Sequence, residues 1–314
     1  MTTPFLFLNG LEVHQLIFHV QATSYLSFGP QAGAQLRGAL WEKLKVSLGD
    51  TDLLGQLMVL EIPNRKRGSN PPRPFSIRPP LGERPSADRH YSIGDAFSFT
   101  ISLFGKVAEL FPYIIQAVYQ IGLDGVGYGR GRYQLIRVEA HNPITGTSAD
   151  LVANGRLVAS PSVPITADQV AAFVRGLPRH HIRLRFLTPT QLIQGERSLA
   201  IPEFVVLIAR LLERCQAIEA HYTTEPESSD AWREEHLRLT IGMRDVSIAQ
   251  CNTRWVDVRS NSQRDNSTKK LSGFVGQVVY SGLLENYLRW LVWGQLVQVG
   301  KNTVKGNGWY EIVT

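Results

Sequence analysis

The sequence predicts an α+β protein that uses one six-element unit twice, and three observations predict it. A glycine-rich turn that enters a β-type run occurs at 121-IGLDGVGYGRGRYQLIRV-138 and again in the closing stretch 297-VQVGKNTVKGNGWYEIVT-314. Each turn follows an apolar helical stretch of similar length, 107-VAELFPYIIQAVYQI-121 and 284-LENYLRWLVWGQLVQV-299. Each half also opens on a strand of alternating apolar residues that leads into an amphipathic helix.

In the first half, 13-VHQLIFHV-20 puts Leu16, Phe18 and Val20 on one face, with His14 on the core-facing side, and a helix over 31–46 repeats Leu36, Leu40 and Leu44. Residues 57–62 and 94–105 read as strands flanking a long insertion, followed by the helix at 107–121 and the strand after the first glycine turn. In the second half, 181-HIRLRFL-187 alternates Ile182, Leu184 and Phe186. A helix over 202–220 carries Phe204, Ile208, Leu211 and Cys215, with Pro202 near its first turn. Segments 234–250 and 273–282 read as the inner strands, ahead of the helix at 284–299 and the closing strand. Strand, helix, strand, strand, helix, strand is the ferredoxin-like, RRM-like βαββαβ unit. The expectation is two tandem ferredoxin-like domains: 1–150 with an insertion at 63–90, a linker over 151–175, and 176–314.

Composition narrows the function classes. With 43% hydrophobic and 19% charged residues, 314 residues can bury two cores. No run reaches the ~20 apolar residues that span a bilayer and no cleavable leader is apparent, so a cytoplasmic protein without a membrane partner is expected. The two cysteines, Cys215 and Cys251, have neither disulfide-framework nor metal-ligand spacing, and no metal or other cofactor is expected. The formal charge of +6 is concentrated in 63-PNRKRGSNPPRPFSIRPPLGERPSADRH-90, which carries seven Lys/Arg against Glu83 and Asp88. Such a segment reads as an electrostatic footprint for a polyanion, and its seven prolines read as a long extended loop.

The motifs point to phosphate without nucleotide chemistry. Gly300-Lys301 continues with Asn302 and enters a strand, so the closing loop is neither a Walker A loop nor a Rossmann turn. Gly300, Gly306 and Gly308 allow close backbone approach to a polyanion, with Lys301 and Lys305 supplying charge; the earlier copy offers Gly122, Gly129 and Gly131 with Arg130 and Arg132. A second basic group, Arg254, Arg259, Ser260, Arg264, Lys269 and Lys270, occupies 254-RWVDVRSNSQRDNSTKK-270 with side chains competent to meet phosphate or base edges; the alternative reading is a polar hairpin loop before strand 273–282. On strand 181–187, His181, Arg183 and Arg185 alternate on the face opposite the apolar set, a candidate backbone-phosphate stripe.

The stretches 186-FLTPTQL, 255-WVDVRSNSQR, 272-SGFVGQVVYSG and 299-VGKNTVKGNGWY resemble the CRISPR-associated repeat-processing endoribonucleases, the sixth Cas family of the RAMP superfamily. The N-terminal stretches 75-FSIRPP, 94-GDAFSFTISLFG and 122-GLDGVGYGR resemble that family's bacterial members. The resemblance implies two ferredoxin-like domains that bind CRISPR repeat RNA between them and cut the precursor transcript into guide RNAs. It implies no metal, and it allows other Cas proteins as partners. The implied reaction is attack of a 2′-hydroxyl on the adjacent phosphorus, leaving a 2′,3′-cyclic phosphate and a 5′-hydroxyl.

This chemistry needs alignment, a base, an acid and positive charge on the phosphorane. Many members of the family carry a histidine at or just before the first helix; here no histidine lies between His19 and His90, and the helix offers Arg37. Arginine stabilises a phosphorane but is a poor base. Three readings stand at this point. Arg37 with Tyr25 or Ser27 cleaves by alignment and charge, His19 or His181 reaches the cleft, or the protein binds repeat RNA without cutting it as a RAMP subunit of an effector complex.

Overall fold

The computed structural model of the chain describes residues 7–49, 51–58, 71–82, 87–153, 155–262 and 267–313. The N-terminal half runs β1 (Val13–Ala22), β2 (Leu26–Phe28), α1 (Ala32–Leu48), α2 (Asp52–Met58), β3 (Phe75–Arg78), β4 (Arg89–Tyr91) and β5 (Ala96–Phe104). It continues through α3 (Phe111–Asp124), β6 (Tyr133–Asn142), β7 (Thr147–Ala153) and β8 (Arg156–Leu157). After α4 (Ala167–Val174) come β9 (His181–Thr190), β10 (Ile193–Gln194), β11 (Arg197–Ser198), α5 (Phe204–Tyr222) and α6 (Ser229–Met243). The chain ends with β12 (Ser247–Val256), β13 (Arg259–Ser262), β14 (Ser267–Lys270), β15 (Gly273–Ser281), α7 (Glu285–Val297) and β16 (Tyr310–Val313).

Both halves are ferredoxin-like. The sheets run β3-β5-β1-β6, extended by β7 and β8, and β12-β15-β9-β16, so each has the strand order second, third, first, fourth within its own unit. All the pairings are antiparallel. Leu16, Phe18 and Val20 of β1 pack with Leu36, Leu40 and Leu44 of α1 and Ile114, Val118 and Ile121 of α3. Ile182, Leu184 and Phe186 of β9 pack with Leu207, Leu211 and Leu212 of α5 and Leu288, Leu291 and Val292 of α7. Strand alternation therefore sends the other set of side chains to a face without helical cover.

Three sequence expectations give way. The stretch expected as strand 57–62 ends α2 instead, because Leu54, Leu57 and Met58 repeat at helical spacing and are buried together; residues 59–62 lie outside the described residues. The stretch 234–250 divides into α6 and the start of β12. Trp232, Glu235, Leu239 and Met243 form one buried helical stripe, and the Ser228 hydroxyl caps the helix by accepting from the Ala231 N–H. The basic stretch 254–270, for which a polar hairpin loop is the alternative reading, forms the end of β12 and the β13–β14 hairpin. The span 151–175, expected as a linker, carries the end of β7, all of β8, and α4, which is capped by a Thr166–Gln169 box and buries Val170.

The proline-rich segment is also more ordered than an extended loop. Residues 63–70 and 83–86 lie outside the described residues, but Phe75–Arg78 is an edge strand, where flanking prolines are tolerated, and Arg89–Tyr91 pairs with β2. Two of its arginines are structural. Arg89 is buried and donates to the Gly29 and Ala87 carbonyls. Arg78 ties the domains together: its guanidinium donates to Gln15 Oε1 at 3.2 Å and to the Gln295 carbonyl at 2.7 Å, and it stacks 5.3 Å from the Trp309 ring. Burial pulls its pKa down to about 10, so it stays charged at neutral pH. Beside it, Gln298 donates to the Ile77 and Asn307 carbonyls. Replacing Arg78 with alanine strands both acceptors, and the expected loss is about 2–4 kcal/mol in urea unfolding; an unchanged midpoint would contradict this role.

Candidate active site at the domain junction

The first turns of α1 are built to be approached. Gly33 meets the closing loop so closely that a Cβ there would lie 2.3 Å from the Lys305 carbonyl oxygen, and Gly306, at φ 88°, packs on Gly33 and Pro79. Ala34 packs into a small apolar cluster of Val256, Val258, Leu271 and Val275 from the C-terminal domain. Arg37 follows Gly33 by four residues and Ala34 by three, so helical spacing puts it on the side of α1 that faces the C-terminal domain. The expected residues Lys305 and Gly306 are thus brought to α1, whereas Gly300 and the Lys301 N–H contact Gln191, and Gly308 packs on Val299.

The cluster under Ala34 closes one end of the uncovered face of the C-terminal sheet. Val275 of β15 lies on that face with Arg254 of β12 directly across. Farther along the strand, Gln277 is opposite Arg185, Val279 opposite Arg183, and Ser281 opposite His181. Arg183, Arg185 and Arg254 therefore share one exposed surface that starts at α1, in steps of about 6.6 Å along the strands. Arg185 is paired with Glu311 at 2.9 Å. At the junction end the β13–β14 hairpin sets Arg259 opposite Lys270 and Ser260 opposite Lys269. Two cations directly across a ladder repel each other, and an anion between them relieves that repulsion. Arg264 lies outside the described residues.

The structure separates the two histidines singled out in the sequence from this junction. His181 is six residues from the Val275 end of the ladder, about 20 Å, and its Nε2 meets the Ser281 hydroxyl at 3.2 Å. His19 is on the face of β1 opposite α1, with its Nε2 3.1 Å from Glu139 Oε1. His14 is buried beside Glu12, and desolvation holds its pKa below the usual histidine value. A cleft of about 560 Å³ near His14, Lys106 and Tyr222 shares no lining residue with the junction.

Tyr25 lies beside the first glycine turn, on the β1–α1 connection of its own domain. The first glycine turn folds over the β1–α1 connection: a Cβ on Gly131 would lie 2.5 Å from the Tyr25 carbonyl oxygen, and the Arg132 N–H donates to the Ser24 hydroxyl. Arg130 and Arg132, both exposed, are carried there by the turn. Gln31, at the start of α1, donates to the Tyr128 hydroxyl at 2.7 Å. Tyr25 is 60% exposed, and its hydroxyl lies 2.8 Å from Nδ1 of His90, a residue that sequence reading passed over. The only local sign was the alternation Arg89, His90, Tyr91 at the end of the proline-rich segment; the contact spans 65 residues. Among the described residues no group of three His, Cys, Asp or Glu side chains is arranged to hold a metal ion, and no helix is long and apolar enough to cross a membrane.

Comparison with known proteins agrees with this architecture. Residues 184–310 match the family model described as CRISPR-associated endoribonuclease Cas6, and residues 11–163 match a model described as an N-terminal domain. No curated protein matches the sequence. Among solved structures, Cas6 of Thermus thermophilus is 16% identical over 96% of this chain and 99% of its own, with a TM-score of 0.59. A Cas6 product complex is 18% identical with the same coverage and TM-score. A partial Cas6-RT-Cas1–Cas2 complex is 14% identical over 98% of this chain and 47% of that chain, with a TM-score of 0.60. At these identities the structures speak for the fold, two ferredoxin-like domains side by side. The Cas6 family model thus matches most of the C-terminal domain, and the fold of the Cas6 structures extends over nearly the whole chain.

Proposed function

We propose that this chain binds the repeat RNA of a CRISPR precursor transcript and cleaves it once per repeat, by attack of a 2′-hydroxyl on the adjacent phosphorus. The observation that carries the reading is convergence. The exposed arginine face of the C-terminal sheet ends at the side of α1 that bears Arg37, and the first glycine turn brings Arg130 and Arg132 to the same helix end. A single RNA strand laid on Arg183, Arg185 and Arg254 arrives at the start of α1, where Arg37 and the first-turn arginines supply charge to the phosphorane. The Arg259–Lys270 and Ser260–Lys269 pairs and the Lys301–Lys305 loop flank that path and hold the backbone. One similar structure is a Cas6 bound to its product, and another sits in a complex with other Cas proteins, which supports RNA and Cas proteins as partners. A transcript as substrate puts the protein in the cytoplasm.

Three measurements test the reading. Incubated with the RNA of a neighbouring CRISPR repeat in EDTA, the protein yields 2′,3′-cyclic phosphate and 5′-hydroxyl ends, and a 2′-deoxy substitution at the scissile position blocks the cut. Cleavage of the deoxy substrate contradicts the mechanism, and binding without any product selects the non-cleaving alternative. Arg37→Ala lowers single-turnover cleavage by about 100-fold while affinity changes little. For binding, combined Arg183→Ala, Arg185→Ala and Arg254→Ala removes three phosphate contacts and flattens the slope of log K against log salt by about 2; an unchanged slope places the RNA elsewhere.

A further inference from the structure

We propose that His90 is the general base of this cleavage reaction and that Tyr25 is its positioning residue. The inference rests on the functional reading above and supplies the group that Arg37 cannot be. Of the eight histidines, His90 is the one hydrogen-bonded to the β1–α1 connection, although it reaches that place from the far end of the proline-rich segment.

The placement follows from a small two-stranded sheet. β2 and β4 pair Leu26 with Tyr91, Ser27 with His90 and Phe28 with Arg89. Leu26, Phe28 and Arg89 are buried, and Phe28 and Tyr91 pack against Phe97 at ring distances of 6.0 and 4.2 Å. With that register fixed by packing, His90 falls on the exposed side. Tyr25 lies beside it with the two rings nearly parallel at 15° and their centroids 6.1 Å apart, joined by the 2.8 Å contact between its hydroxyl and Nδ1. Nε2 of His90 has no hydrogen-bond partner among the described residues. The turn that packs on Tyr25 and Leu26 carries two exposed arginines, Arg130, whose Nε donates to the Asp124 carbonyl, and Arg132.

The chemistry then balances with groups already present. In the reactive tautomer Nδ1–H donates to the Tyr25 hydroxyl, and a lone pair is left on Nε2. Nε2 takes the proton of the 2′-hydroxyl as the 2′-oxygen bonds to phosphorus. The bond from phosphorus to the 5′-oxygen breaks, its electron pair goes to that oxygen, and the oxygen takes a proton from water. The imidazolium returns its proton to solvent. No oxidant, reductant or metal enters the balance.

The test is single-turnover cleavage of the repeat RNA in EDTA across pH, with RNA affinity measured alongside. His90→Ala is expected to slow cleavage by about 100-fold or more, to leave affinity within about threefold, and to abolish the acidic limb of the pH–rate profile, with partial recovery in added imidazole. Tyr25→Phe is expected to keep affinity, to slow cleavage by about tenfold and to move the acidic limb without removing it. His90→Gln, which keeps a polar exposed side chain, repeats the loss if His90→Ala folds poorly. Wild-type cleavage together with a wild-type rate and pH profile in either His90 variant overturns this inference alone. Absence of cleavage by the wild-type protein overturns the functional reading and this inference with it.

Discussion

The contact between Gly33 of α1 and the Lys305–Gly306 backbone is the constraint on which the rest of the junction depends. Two main chains meet there with no side chain between them, and the absence of a Cβ on Gly33 allows it: such an atom would lie 2.3 Å from the Lys305 carbonyl oxygen. Once that contact is made, Ala34 falls into the Val256, Val258, Leu271 and Val275 cluster, and the open face of the C-terminal sheet begins at the first turns of α1. Arg78 and Gln298 brace the same seam with hydrogen bonds that cross between domains, and Arg78 also stacks on the Trp309 ring. The duplicated glycine turns have therefore diverged in use. The first folds onto the β1–α1 connection of its own domain, whereas the second holds the two domains together.

That arrangement sorts the arginines into two kinds. Arg78, Arg89 and Arg214 are desolvated, bonded to backbone carbonyls, and have pKa values pulled down by burial. They hold loops and domains in place and have little left to offer a ligand. Arg183, Arg254, Arg259, Arg130 and Arg132 are exposed, on faces that lead to or border α1. Like-charged residues gathered on one side of a fold destabilise it slightly in the absence of an anion, which is a reason to expect a polyanion there.

The sequence made the fold legible because its signals were long and repeated. Alternation in Leu16–Val20 and Ile182–Phe186, and the paired glycine turns, identify both ferredoxin-like units. The errors arose where signals were short or ambiguous. Segment 234–250 holds both a helical stripe through Leu239 and Met243 and an alternating strand, and only burial of Trp232 and Glu235 shows where one stops. The charge of the proline-rich segment was visible, but whether an arginine points to solvent or carries an interface depends on residues more than two hundred positions away, as Arg78 and Gln295 show. His90 was illegible for the same reason. Its contact is with Tyr25, 65 residues away on the β1–α1 connection, and no local pattern marks it.

The most direct measurement compares two alanine substitutions on one helix. Gly33→Ala places a methyl group against the Lys305 carbonyl, whereas Gly38→Ala meets nothing within 4 Å. The account predicts that Gly33→Ala reduces repeat RNA cleavage by more than about tenfold, because a displacement near 1 Å at the junction is enough to misalign the reacting groups, and that Gly38→Ala cleaves as the wild type does. A wild-type cleavage rate in Gly33→Ala would contradict the claim that this contact sets the site.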